Sequence, residues 1–402
     1  MIFKFALRNI FRNKKRTVLT IISILFAAMI VGLAQGWVNG LMDAMESNYI
    51  KYQTGHIRIT TKEYIKRERF IPVDEIIYNS GRVIEDVKKI DGVKSVEERI
   101  RFGMLLGKGE KTEESVGMGL DLLNSDLDLS SKLTDENEKI ESQGLYLGYK
   151  LAEKLGVKKG EELLIATKTS EGGLNGIKLE VKGLLKFGMK TFDSKFFFMD
   201  LGSAKELLKI YDGTTEIFVF LKNIENLHEI NNKISIKLDD DLVSEDYITQ
   251  MGDMYGMFQM AKIIYYFIES MIMFLGSFVV INTMMMSIYE RMREIGTLKA
   301  IGMTDKQLFW NFTCEGAILG AIGGAIGAIC GYMIIVYFSI SGINMEAFMA
   351  SIEAPVEYIV YPHVSIIQPF IAIFIAIIIP ALASMIPARN MKKYMPADAL
   401  RK

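Results

Sequence analysis

Residues Tyr289–Gln307 read YERMREIGTLKAIGMTDKQ and lie between two long apolar segments. Placed on a helix, this stretch has one apolar and one polar side. The apolar side carries Met292, Ile295 and Leu298, and the polar side carries Glu290, Arg293, Glu294 and Thr297. Gly302 suits the residue after a helix end, and Thr304 with Gln307 matches the capping box that starts a new helix. The pattern predicts a short lever helix at 290–303, with an ordinary charged loop as the alternative.

The charged residues of this chain are separated from its apolar ones. Of its 402 residues, 50% are hydrophobic and 24% are charged, and the mean hydropathy is +0.22. Four uncharged stretches are each long enough for the roughly 20 apolar residues that cross a bilayer. They are Thr17–Met42, Ser270–Tyr289, Gly316–Met345 and Tyr358–Ala388. We predict transmembrane helices at 17–42, 263–289, 304–345 and 358–388, in an α-helical membrane protein that also carries a large α+β extracytoplasmic domain.

Basic residues flank these stretches on one side of the predicted membrane. The N-terminal segment 1–16, the lever and the tail 389–402 all carry Lys and Arg, whereas the loop 346–357 has three acidic residues and no basic one. Because cytoplasmic loops are enriched in Lys and Arg, we expect both termini and the lever to be cytoplasmic. The chain is then a multi-pass protein of the cell (inner) membrane.

Segment 1–16 alternates apolar and basic side chains at helical spacing, as at Leu7, Arg8, Ile10 and Arg12. This pattern predicts an amphipathic helix in contact with membrane lipids at the inner surface, and a disordered basic tail is the alternative. A cleaved signal peptide fits less well. The apolar stretch that follows is longer than the about 7 to 15 residues of such signals, and no A-x-A site follows at the right distance.

Residues 43–262 are numerous enough for a sizeable extracytoplasmic domain. Their net charge of about −7 is not the footprint of a nucleic-acid-binding domain. Strand and helix patterns occur together at both ends of this region. They are Gly55–Thr61, Arg82–Ile90 and Val93–Phe102 at the start, and Glu216–Leu221 and Leu227–Leu238 at the end. Short β patterns between glycine turns predict an inserted β-rich subdomain at about 121–213.

Patterns for catalysis or metal binding are scarce. The nearest approach to a phosphate-binding loop is Gly103–Lys108, GMLLGK, which has the wrong spacing and lies in a predicted strand region. We therefore expect no nucleotide site and no ATP hydrolysis in this chain. The three histidines are isolated from one another, and Cys314 and Cys330 are separated by about 24 Å of helical rise. We expect neither a metal site nor a disulfide.

The predicted spans contain glycines and one carboxylate that need an explanation. Glycines at four-residue spacing let another helix backbone approach closely, so we expect them to pack the spans, with a moving surface as the alternative. They are Gly320, Gly323, Gly324, Gly327 and Gly331. Glu269 begins the second span, and we favour a place at the outer interface over one facing a polar cavity. Pro380 predicts a kink in the fourth span.

The lever sequence ERMREIGTLKAIGMT is very similar to the segment after the second span in permeases of the FtsX-like family. This family includes the macrolide-exporter (MacB) and lipoprotein-release (LolC and LolE) permeases of ABC transporters. The resemblance covers nearly the whole chain, including the opening ALRNIFRNKKRTVLTI and the closing spans, and Met303 is a mild departure from it. It implies a porter-like subdomain with a β-rich insertion, and a lever that contacts a separate ABC ATPase. The residues that it assigns to this coupling are Glu290, Arg291, Arg293, Glu294, Gly296, Thr297, Lys299, Ala300 and Gly302.

The resemblance also implies how such a chain works. It would be a permease subunit that passes ATPase motion through the membrane to its outer domain, a process called mechanotransmission. ATP and Mg would bind to the ATPase, and this chain would carry no cofactor. A second permease subunit, identical or homologous, would complete the transporter.

Lipoprotein release or translocation is the favoured transport function, because the GHIRIT strand and the start of the exported region are similar to the lipoprotein-release group. The hairpin tip Thr169–Gly176 lies where that group can bind a periplasmic carrier. Met254, Met257 and Phe258, near Met251 and Met260, form a candidate surface for acyl chains, although packing of the second span also explains them. The alternatives are a MacB-type peptide or antibiotic exporter and an FtsX-like signalling scaffold that activates a cell-wall hydrolase.

Overall fold

The computed structural model describes residues 2–12, 14–135, 137–349 and 356–390. The chain divides into two compact units. The helical unit consists of Met1–Asp43, Met257–Ile343 and Tyr361–Lys402, and the α/β unit consists of Ala44–Gly256 and Asn344–Val360. Most of the predicted tail 389–402 and the middle of the predicted loop 346–357 lie outside the described residues.

The described residues form long helices near both ends of the chain, with shorter helices and strands between the first two long helices. The helices are α1 Ile2–Arg12, α2 Lys14–Tyr49, α3 Lys62–Arg67, α4 Ser80–Lys88, α5 Tyr149–Leu155, α6 Lys190–Lys195, α7 Leu201–Leu208, α8 Leu227–Lys237, α9 Tyr247–Met251, α10 Asp253–Glu290, α11 Met292–Ala300, α12 Asp305–Ser341, α13 Glu346–Met349 and α14 Ile367–Asn390. The strands are β1 Ile57–Thr61, β2 Val93–Lys108, β3 Lys111–Leu120, β4 Leu145–Gly148, β5 Glu162–Lys168, β6 Leu174–Leu185, β7 Phe196–Asp200, β8 Glu216–Leu221, β9 Leu242–Asp246, β10 Ile343–Asn344 and β11 Ile359–Val360.

Four helices among the described residues are long and apolar enough to cross a membrane. They are Lys14–Thr54, Asp253–Glu290, Asp305–Ser341 and Ile367–Arg389. The predicted boundary between domain and span at residue 262 lies inside α10, which has 38 residues. At 1.5 Å per residue such a helix is about 57 Å long, whereas the hydrocarbon core is about 30 Å thick. An uncharged stretch predicts which part of a helix can lie in lipid. It does not predict where the helix itself begins or ends, because the polar residues on either side continue the same helix.

The glycines of α12 form two stripes that face two different helices. On one stripe, a Cβ at Gly320 would lie 2.1 Å from the carbonyl oxygen of Ala376 in α14, and Gly324 also faces Ala376. On the other stripe, a Cβ at Gly327 would lie 2.4 Å from the carbonyl oxygen of Leu25 in α2, and Gly323 and Gly331 face the same helix. Because a side chain is absent along both stripes, the backbones of α2 and α14 both approach α12 closely.

One sheet of nine strands runs through the α/β unit in the order β3-β7-β4-β6-β5-β2-β8-β1-β9. Strand β2 joins two parts of this sheet, one with β8, β1 and β9 and the other with β3 to β7. Its first half, Val93–Arg99, pairs with β8, and its second half, Ile100–Lys108, pairs with β3. The β-rich insertion therefore starts inside β2 and includes β3, and the predicted start near residue 121 is too late. Gly103 and Gly107 lie within β2, and the chain turns only at Gly109, whose φ is +61°.

A group of charged side chains lies towards the β9 end of this sheet. Arg58 and Glu216 are both buried, on the neighbouring strands β1 and β8. The Glu216 carboxylate accepts hydrogen bonds from Arg58 Nη1 at 3.2 Å and from Arg101 Nε at 2.7 Å. Glu68 is a second partner of both arginines. The part β2-β8-β1-β9 is thus held by an ionic network in addition to its apolar side chains.

The segment Asn344–Val360 belongs to the α/β unit, although the sequence predicted a separate loop at 346–357. The Tyr358 amide donates to the Gly188 carbonyl oxygen at 2.6 Å, and the Tyr358 hydroxyl accepts from Lys150 Nζ at 2.8 Å. Glu357 pairs with Lys132 at 2.9 Å. The sequence missed this docking because the partner residues lie about 170 to 225 positions away in the chain.

Candidate functional site at the lever helix

The lever is a separate helix, α11, and does not continue the second span. Helix α10 ends at Glu290, and Arg291 has φ −101° and ψ 13°, outside regular helical values. Gly302 follows α11 with φ +105°, a conformation that favours glycine. The predicted capping box is confirmed, with Thr304 and Gln307 satisfying each other's backbone N–H groups at the start of α12.

The residues assigned to coupling differ in exposure. Arg291 and Gly296 are buried, and Lys299 is half-buried and pairs with Asp305 at 2.7 Å. The exposed ones are Glu290, Arg293, Glu294, Thr297, Ala300 and Gly302. Ile301, which the sequence did not single out, is 79% exposed at the end of α11. The lever therefore has one exposed face, and this face ends in an apolar tip.

Two acidic residues of the lever already have partners in the N-terminal segment. Glu294 pairs with Arg12, and Glu290 pairs with Arg16. Hydrogen bonds from Arg12 and Arg291 hold the pKa of Glu294 below its usual range. The first pair connects α1 to α11, and the second connects the start of α2 to the end of α10.

Helix α1 packs against α12, with Ala6 and Ile10 buried, while Leu7 and Arg8 are exposed. Such a helix has one apolar and one basic side, as the sequence predicted from its spacing.

A buried polar cluster behind the lever was missed by sequence reasoning. Arg291 Nη2 donates to Asn9 Oδ1 at 2.7 Å, and its Nη1 lies 3.8 Å from Glu315 Oε2 in α12. Glu315 is only 6% exposed, and the neighbouring turn of α12 carries the buried Asn311. One signal for this cluster was present in the sequence: Glu315 is a lone carboxylate at the edge of a long uncharged stretch, where an ionic partner is required.

Glu269 is buried between two spans, and its place at the outer membrane interface stays a prediction. Its Oε2 accepts a hydrogen bond from Gln35 Nε2 of α2 at 2.8 Å. Gln35 was not identified from the sequence, because an isolated glutamine in an apolar stretch has no recognisable partner before the helices pack.

The candidate acyl-chain surface lies on α10 and is only partly exposed. Met257 is 69% exposed, whereas Met254 and Phe258 are half-buried. Met251 is buried in α9 and does not contribute to an accessible surface.

No group of three or more His, Cys, Asp or Glu side chains suited to a metal ion occurs in the described parts of the chain. Cys314 and Cys330 are both free thiols.

Comparison with known families and proteins gives consistent matches over both units. Residues 17–236 match the family described as MacB-like periplasmic core domain, and residues 266–396 match FtsX-like permease C-terminal. The ABC transporter permease YtrF of Bacillus subtilis is 23% identical over 443 residues, covering 99% of this chain and 98% of its own.

Two further relatives match part of the chain. The lipoprotein-releasing system transmembrane protein LolC of Xylella fastidiosa is 21% identical, and the alignment covers 64% of each chain. This chain thus spans about two thirds of the length of LolC. The crystal structure of the periplasmic region of MacB from Actinobacillus actinomycetemcomitans aligns with 51% of this chain and 95% of its own, at 11% identity and a TM-score of 0.37. Because the MacB-like match alone covers more than half of the residues and the FtsX-like match covers the last three spans, the chain belongs to the FtsX-like family of ABC transporter permeases with a MacB-like periplasmic core domain.

Proposed function

We propose that this chain is the membrane subunit of an ABC transporter and that the exposed face of α11 receives the movement of a separate ATPase, which binds ATP and Mg. The observation that carries this proposal is the lever itself. A short helix lies between two spans, exposes an apolar tip at Ile301, and is tied to α1 by the ion pair of Glu294 with Arg12. An element that transmits motion must be held in place and must contact both partners, and the ion pair of Glu294 with Arg12 holds α11 against α1. A second permease subunit, identical or homologous, completes the transporter.

We also propose that α11 and both termini are cytoplasmic in the cell (inner) membrane and that the α/β unit is outside. The test uses single cysteines in a chain that lacks Cys314 and Cys330, with an impermeant thiol reagent added to intact cells. Ser142 and Thr297 are both exposed, so the reagent can reach either residue on its own side of the membrane. We expect labelling at Ser142 and not at Thr297. Labelling of Thr297 without permeabilisation contradicts the orientation.

Replacement of Ile301 by Asp tests the contact between lever and ATPase. A charge at the apolar tip opposes burial in a partner, so we expect at least a tenfold loss of affinity for the ATPase and no stimulation of its hydrolysis. The measurement is co-purification and ATPase activity after co-expression with the ABC ATPases of the source organism. Glu290 and Glu294 are poorer choices, because their replacement also breaks the ion pairs to Arg16 of α2 and Arg12 of α1.

The matched control is Ile236→Asp, since Ile236 is 85% exposed on α8 of the α/β unit. This variant should bind and stimulate the ATPase as the unmodified chain does. If Ile301→Asp and Ile236→Asp bind and stimulate the ATPase equally well, the tip of α11 is not a contact with the ATPase.

For the cargo we favour a lipoprotein that is released from or moved across the membrane, with a periplasmic carrier as a further partner. Two observations support this choice: the relative named as part of a lipoprotein-releasing system, and the exposed methionine surface on α10. Methionine side chains adapt to irregular apolar ligands such as acyl chains.

A photocrosslinking residue at Met257 should capture an acylated protein, because this side chain is 69% exposed next to the predicted lipid region. The same residue placed at Tyr211, which is 83% exposed in the α/β unit, should not. Depletion of the chain should leave lipoproteins in the membrane. Normal lipoprotein release on depletion, with altered sensitivity to a secreted peptide or antibiotic, favours a MacB-type exporter instead.

The MacB-type exporter is the second candidate, because the family that matches residues 17–236 is described by the MacB periplasmic core. A third candidate is a signalling scaffold that activates a cell-wall hydrolase. Loss of hydrolase activation on depletion of the chain, without any transport defect, would support this candidate.

A further inference from the structure

The junction between α10 and α11 is held only weakly by its backbone. The Arg291 amide is shared between the carbonyl oxygens of Ser287 at 3.3 Å and Ile288 at 3.2 Å. Both distances are long for an N–H···O bond, and the backbone of Arg291 departs from helical values. A helix broken in this way can change direction at the break. Something other than the backbone must therefore set the angle of α11.

The side chain of Arg291 lies where it can set this angle. Its guanidinium contacts three elements: Asn9 of α1 at 2.7 Å, Glu294 of α11 at 3.2 Å and Glu315 of α12 at 3.8 Å. It also lies 5.9 Å from the ring centre of Phe312 in α12. The planar guanidinium has five N–H groups in fixed directions, so it can hold several elements at once.

Glu315 is the least exposed of the polar partners of Arg291. It is 6% exposed, and the 26 residues that follow it in α12 carry no charge. Its Oε2 is buried without a hydrogen bond, as is Asn311 Oδ1 on the previous turn of α12. A carboxylate in such surroundings needs a cation, and Arg291 Nη1 lies 3.8 Å away. Arg16, whose Nη1 is also buried without a partner, is bound to Glu290 instead.

We propose that Arg291 and Glu315 form a positioning pair that fixes the angle of α11 relative to α12. The pair anchors the lever from behind, and the ion pair of Glu294 with Arg12 fastens α1 to α11. The ion pair of Glu290 with Arg16 joins the end of α10 to the start of α2. Helices α1 and α11 are then one coupling element. Arg291 acts through the position of α11, and it does not touch the ATPase. The role in coupling rests on the proposed function, whereas the position of α11 does not.

The test measures the position of α11 directly in the full chain. Spin labels are placed at Arg8 of α1 and Thr297 of α11, both exposed, in a chain that lacks the two native cysteines. We expect Glu315→Gln to broaden the distribution of distances between the labels at least twofold. Arg291→Met alone already removes the partner of Glu315. The double variant Arg291→Met with Glu315→Gln should therefore give nearly the same distribution of distances as Arg291→Met alone.

The matched control is Glu269→Gln, which removes another buried carboxylate of the helical unit that is bound to Gln35 and not to the lever. Its distance distribution should equal that of the unmodified chain. If Glu315→Gln fails to insert, Glu315→Asp keeps the charge and shortens the side chain, and should give an intermediate width. An unchanged distribution in Glu315→Gln or Glu315→Asp overturns the pair.

A second measurement separates this proposal from the proposed function. With the co-expressed ATPase, Glu315→Gln should lower stimulated kcat at least tenfold and leave KM for ATP unchanged, since nucleotide binds elsewhere. A broadened distribution with normal stimulation keeps the positioning pair and rejects α11 as the coupling surface. If Glu315→Gln instead leaves the distribution of distances narrow and abolishes ATPase stimulation, the positioning pair is rejected and α11 remains the coupling surface.

Discussion

Gly327→Leu is expected to prevent stable assembly of the helical unit. The Cβ alone would lie 2.4 Å from the carbonyl oxygen of Leu25 and 3.0 Å from its carbonyl carbon. These are backbone atoms of α2, so neither a rotamer change nor a small shift can make room. Overpacking of a core commonly costs about 1 to 3 kcal/mol, and a clash with backbone along a helix pair should exceed this range. We expect little monodisperse protein in detergent and a large drop in the thermal midpoint.

Gly320→Leu should have a similar effect through α14, because its Cβ would lie 2.1 Å from the carbonyl oxygen of Ala376. The control is Gly32→Ala in α2, where nothing lies within 4 Å of the added Cβ. That variant should assemble normally. Normal yield and midpoint for Gly327→Leu contradict the packing of α2 on α12.

Glu216→Ala is expected to destabilise the α/β unit by about 3 to 5 kcal/mol, the range for removal of one member of a buried ion pair. Arg58 is 1% exposed and loses its buried partner, and Arg101 loses two hydrogen bonds at 2.7 and 2.5 Å. Glu68, whose side chain is 41% exposed, remains as the main partner of both cations. Hydrogen exchange of β1 and β8 in the full chain measures the effect.

The control for this prediction is Glu229→Gln on the exposed face of α8. Glu229 pairs with Lys233, and both side chains are more than half exposed. Such a pair contributes at most about 1 kcal/mol, so exchange in β1 and β8 should not change. Equal protection in Glu216→Ala and Glu229→Gln shows that the network does not hold the sheet.

Local patterns predicted local structure well. The strand and helix patterns at both ends of the α/β unit correspond to β1, α4, β2, β8 and α8. The capping box at Thr304 was also readable, because its two hydrogen bonds involve residues three positions apart. Boundaries were less accurate where a regular element continued beyond its predicted end, as β2 does past Phe102 to Lys108.

The lever shows where a local pattern is insufficient. Its amphipathic spacing predicted a helix, and Ile295 is buried while Thr297 is exposed. The same spacing could not show that Glu290 and Glu294 are paired with Arg16 and Arg12, which lie more than 270 positions away. An acidic residue on a helix surface has the same sequence signal whether it faces a partner protein or another helix of its own chain.

The sequence by itself determined the four spans, the large domain between the first two, the lever and its caps, because uncharged length and short-range periodicity are properties of neighbouring residues. Only the tertiary structure decided which helix each glycine stripe of α12 faces, that Asn344–Val360 joins the α/β unit, and that Arg291 and Glu315 meet behind the lever. The physical reason is the same in each case. Close approach and charge pairing depend on the distance between groups that are far apart in the chain, and that distance exists only after the helices and strands have packed.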